Sequence, residues 1–85
     1  MRTANEWTVA TPQTRRTLPR TIDTARGEHL VAYQGSNDGR MTLVTRVDGQ
    51  RWVRCELWQD GKFLTFGAFA TPVAALLWAH DWRAR

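Results

Sequence analysis

Trp52-Val53-Arg54-Cys55-Glu56-Leu57-Trp58, then Gln59-Asp60-Gly61-Lys62, then Phe63-Leu64-Thr65-Phe66-Gly67-Ala68-Phe69 form two runs of alternating character joined by a turn. Asp and Gly both tolerate the positive φ of a two-residue hairpin loop, so Asp60-Gly61 predicts a tight connection between antiparallel strands. Thr71-Pro72 comes next. A Thr side chain can cap orphan amides, and Pro at the first helical position loses no needed donor, so a helix of about three to four turns is expected to start there.

Upstream of this stretch the same signals recur. Glu28-His29-Leu30-Val31-Ala32-Tyr33-Gln34 reads as a strand, and Gly35-Ser36-Asn37-Asp38-Gly39 is rich in residues that accept turn conformations. Arg40 to Val47 reads as a second strand before Asp48-Gly49, another hairpin signal. The expected fold is therefore α+β: a four-stranded antiparallel meander over about 29–34, 40–47, 50–58 and 62–68, with one C-terminal helix packed on one face. Residues 1–28 are expected to be an irregular arm bearing Arg, and 29–85 the sheet-plus-helix domain. Two-residue loops would pair Leu57 with Leu64, Cys55 with Phe66, Val53 with Ala68, Val44 with Val53 and Thr42 with Cys55. One face would then collect Val44, Val53, Cys55, Leu57, Leu64 and Phe66 and meet the helix. The other would collect Met41, Leu43, Thr45, Trp52, Arg54, Glu56, Trp58, Phe63 and Thr65.

Cys55-Glu56-Leu57, Phe66-Gly67-Ala68-Phe69, and then Thr71, Ala75 and Leu76 resemble the ethylene-response-factor (Apetala-type) family. The arm-binding domains of phage and transposon integrases are similar. The likeness covers about a third of the chain. It implies a sheet face that enters the major groove of double-stranded DNA. This chain departs from the pattern at Val73, Ala74 and Leu77, where the family has charged residues, and at Phe63 and Thr65, where it has basic or indole side chains.

Eighty-five residues make a single domain that buries only about 60 to 65% of its unfolded surface. Net charge is +4, and eleven of the twelve basic residues are Arg. Residues 1–26 hold five Arg against Glu6 and Asp23, whereas acids and bases balance over 27–62. The DNA-binding set expected from the arm is Arg15, Arg16 and Arg20, and from the sheet Arg54, Trp52, Trp58, Phe63 and Thr65. Arg46 and Arg51 are counted with them. The same aromatic and Arg-bearing face suits a partner protein, since Trp and Arg are enriched at the energetic centres of interfaces. It also suits internal packing beneath Trp7, Leu18, Leu30, Val31 or Tyr33.

Other chemistries find little support in the sequence. Cys55 is the single cysteine, which excludes an internal disulfide, and its place in the strand alternation predicts a buried small hydrophobe. His29, His80, Cys55 and Asp81 lack metal-ligand spacing, so no metal or cofactor is expected. Ser36 lies in a loop, and His80 and Asp81 leave a helix in different directions, so no catalytic set is expected. The N-terminus has no apolar leader and no run has membrane-spanning length, from which a cytoplasmic, non-membrane protein is expected. The helix is apolar nearly all round, so Val73, Leu77 and Trp78 are expected to form a homodimer seam.

Overall fold

The computed structural model describes residues 18–85. A 3-10 turn at Thr24–Arg26 precedes strands β1 (Glu28–Gly35), β2 (Arg40–Val47), β3 (Val53–Gln59) and β4 (Lys62–Phe69), and helix α1 (Pro72–Arg83) closes the chain. The strands form one antiparallel sheet in the order β1-β2-β3-β4, with α1 on one face. This is the expected α+β meander. Asp60 and Gly61 sit at φ 53° and 81° between the paired Gln59 and Lys62, so the tight hairpin forms where expected.

The register differs from the expected one in two ways with unequal consequences. Val44 pairs with Cys55 and Thr42 with Leu57, because the loop after Val47 runs on through Arg51 and Trp52 before β3 begins at Val53. A shift of two residues keeps every side chain on its face. In β4, however, Trp58 pairs with Phe63 while Leu57 pairs with Thr65, which leaves Leu64 as an extra residue in a bulge. That single residue reverses the rest of the strand. Phe66 and Ala68 lie opposite Glu56 and Arg54 on the outer face, while Thr65, Gly67 and Phe69 lie on the helix side. The expectations that Leu64 and Phe66 line the core and that Thr65 belongs to the outer face are corrected accordingly.

On the inner face Val44, Val53, Cys55 and Leu57 meet Ala75 and Ala79 of α1, all buried. The small Ala side chains let the helix backbone approach the sheet, and Leu76, Trp78 and Trp82 pack around them. Trp78, expected in a seam away from the core, instead lies 5.1 Å from the Phe69 ring. Gly67 makes room for this pair, since a Cβ there would come within 2.8 Å of Phe69. The Thr71 hydroxyl accepts from the Ala74 amide at 3.2 Å and starts the helix as expected. At the other end the Arg40 guanidinium lies over the Trp82 ring and donates to the Trp82 carbonyl at 2.9 Å, a favourable place for a cation. Val73 and Leu77 are each 65% exposed on the side away from the sheet.

A charge cluster under an aromatic rim

The outer face has a small core of its own. Tyr33 and Leu43 pair across β1 and β2 and are buried, as is Thr45 beside them. Next to Leu43 in the sheet stands Glu56, only 3% exposed. An ionised carboxylate in such a place must have partners, because stripping its water without replacement costs several kcal/mol.

Arg20 supplies most of them. It reaches across from the segment before the 3-10 turn and donates Nε to Glu56 Oε1 at 3.0 Å and Nη2 to Glu56 Oε2 at 3.1 Å. The same guanidinium donates Nη1 and Nη2 to the two oxygens of Glu28 at 2.9 and 2.6 Å. Glu28 also accepts the Asp23 amide at 2.7 Å, which ties the 3-10 turn to the start of β1. Glu56 takes two further donors, Arg54 Nε at 2.7 Å and Trp58 Nε1 at 3.0 Å. One Arg thus bridges two carboxylates that come from strands at different positions in the sheet.

The ionisation behaviour follows from this geometry. The Arg20 hydrogen bonds hold Glu28 at about 2, well below 4.5, against the opposing effect of burial. For Glu56 burial is the largest single influence and raises the pKa, yet the donors Arg20, Arg54 and Trp58 together leave it lowered. Arg20 is raised chiefly by Glu28. Cys55, on the opposite face, is pushed up to about 12, first by burial and then by the Glu56 charge.

Around this cluster opens a cleft of about 660 Å³ whose walls include Trp52, Trp58, Phe63, Thr45 and the Arg20, Arg54, Glu28 and Glu56 side chains. The Trp58 and Phe63 rings meet edge to face at 5.5 Å. Arg54 lies with its guanidinium carbon 3.8 Å from the centre of the Phe66 ring. Its Nε is held by Glu56, and among the described residues neither Nη makes a hydrogen bond.

The residues expected to bind DNA therefore separate. Trp52, Arg54, Trp58 and Phe63 come together at the cleft. Arg20 joins them as part of the charge cluster, not as a free arm. Arg46 falls on the helix-side alternation of β2, Arg51 lies in the exposed loop before β3, and Thr65 lies on the helix side of β4. Arg15 and Arg16 lie outside the described residues. Sequence reasoning missed Glu28 as a site residue and saw Glu56 only as an outward acid. The signal was present only at Glu56, an acid set between Cys55 and Leu57 in a strand; Glu28, between Gly27 and His29, carried none.

The arrangement defines a small sheet-plus-helix domain with a charge cluster beneath an aromatic rim. No family model matches the chain, and no curated protein or solved structure matches it. Among the described residues no three His, Cys, Asp or Glu side chains gather as a metal ion would require, and no helix is long and apolar enough to cross a membrane.

Proposed function

We propose that this chain is a non-enzymatic module that binds a partner protein through the outer sheet face and the neighbouring edge of β4. The observation that carries this reading is the exposure of Phe63, Leu64 and Phe66, each close to half accessible, on a strand that among the described residues pairs on one side only. Exposed aromatic residues grouped along such an edge mark an interaction surface, since beyond the bulge at Leu64 a solvated edge is otherwise blunted by charge or proline. Between Phe63 and Phe69 this strand has neither.

The same geometry gives less support to double-stranded DNA as the partner. Arg20 is consumed by Glu28 and Glu56, and Asp23, Glu28 and Glu56 line the cleft where phosphates would have to approach. Affinity for DNA rests on unspent cations near the phosphates. Capture from a host lysate, with and without nuclease, separates the two partners. A protein retained after nuclease by the wild type and lost by the Phe63→Ser/Phe66→Ser double variant is the expected result. Capture that disappears with nuclease would restore the DNA reading.

A further inference from the structure

We infer that the partner contributes an extended acidic segment, which adds to β4 as a fifth strand and places a carboxylate on the two Nη groups of Arg54, which make no hydrogen bond among the described residues. The inference rests on the protein-binding reading above and names the chemistry of the partner. Among the described residues β4 is the last strand of the sheet, so its outward N–H and C=O groups can pair with an added strand. The strand from Lys62 to Phe69 contains no acidic residue, and its single charge is Lys62, exposed at its start.

Arg54 supplies the second positive group. It belongs to β3, but its guanidinium lies over Phe66 of β4 and so leans toward the free edge. An added strand would run about 4.8 Å beyond β4. A Glu or Asp on its outer side, opposite Phe66 or Ala68, would come within reach of the Nη groups. The Nη pair presents donors only, and Glu28 and Glu56 already hold the neighbouring donors, so an acceptor is what the site lacks. Apolar side chains flanking that acid would cover Phe63, Leu64 and Phe66.

Charge also argues against a second copy of the chain as the added strand. Antiparallel pairing of β4 with itself would bring Lys62 of one molecule toward the Arg54 end of the other. Like charges facing each other across strands are destabilising. An acidic strand is attracted at both ends.

The test uses the full chain, immobilised, and a phage-displayed library of random decapeptides as probe. The selected pool should be enriched in Asp or Glu within an apolar frame. A synthetic peptide from that pool should bind about tenfold more weakly once its acid becomes the amide, the loss expected for one charge-assisted hydrogen-bond pair. Arg54→Gln should bind the acidic and the amide peptide alike, and N-methylation of alternate peptide residues should abolish binding in one of the two phases. The peptide substitutions are read on the unaltered protein, so they stand even if Arg54→Gln folds poorly. A pool without acidic residues, or an amide twin that binds as well, overturns the inference and leaves the protein-binding reading in place. If no pool is enriched above the Phe63→Ser/Phe66→Ser control, both fall together.

Discussion

Arg20 is the residue whose environment departs furthest from its sequence context. In the chain it closes the run Arg15-Arg16-Thr17-Leu18-Pro19-Arg20, in a segment rich in Thr and Arg, and no acidic residue stands beside it to announce a partner. Its second carboxylate, Glu56, lies 36 residues away, a distance over which only the closed sheet brings side chains together. Replacing Arg20 with Met would strip both carboxylates of their shared counter-charge, leaving Glu56 with Arg54 and Trp58 Nε1 and Glu28 with the Asp23 amide. Breaking such a pair by removing one member costs about 2 to 3 kcal/mol when the site is partly open to water. Urea denaturation at pH 7 should show that loss. The deficit should shrink as the pH falls from about 4.5 toward 2, because Glu28 is depressed in the folded wild type and its contribution is present above the unfolded value and disappears on protonation. A deficit of equal size at pH 7 and pH 2.5 would mean that packing by the Arg stem, not charge, holds the segment down.

The hairpins and the helix start were legible at the element scale because their signals are local. Asp60-Gly61 and Thr71-Pro72 each specify a backbone conformation within a few residues. The bulge at Leu64 had no such signal, since Phe63, Leu64, Thr65 and Phe66 are all good strand residues and none demands an irregular φ. Its effect is nevertheless large, for it turns Phe66 out to Arg54 and Gly67 in toward Trp78. Gly67→Val tests the inner half of that exchange. The added side chain meets the Phe69 ring, and forcing bulk into a filled site typically costs about 1 to 3 kcal/mol. Thermal unfolding should record the loss, together with a changed near-ultraviolet signal from Trp78. Helix α1 invites the opposite expectation at Leu77, which is 65% exposed and points away from the sheet. Leu77→Lys should change stability by no more than about 0.5 kcal/mol, as at ordinary surface positions. Sedimentation velocity of the two proteins reads the same substitution for association: a smaller species for the Lys variant alone would assign Val73 and Leu77 to a homodimer seam.

For the whole molecule the balance of charge is more telling than its total. A net charge of +4 suggests a polyanion as partner, yet the outer face spends Arg20 internally and shares Arg54 with Glu56. The expected consequence is weak attraction to unrelated duplex DNA with a shallow response to salt. Each phosphate neutralised contributes a slope of about −0.9 in the logarithm of affinity against that of salt, so a fluorescence titration should return a slope near −2 or smaller. A slope near −6 would show that many more cations reach the phosphates than the outer face offers. Cys55 has a consequence of another kind. Its thiol lies fully buried between β3 and α1, where Sγ donates to the Ala75 carbonyl at 3.7 Å, and its pKa near 12 keeps it protonated. A disulfide reagent can attack only a thiolate it can touch, so labelling must wait until the helix lifts from the sheet. The chain therefore carries a built-in clock. With excess reagent the labelling rate should stop rising with reagent concentration and level off at the rate at which single molecules open, giving the lifetime of the closed fold without any denaturant.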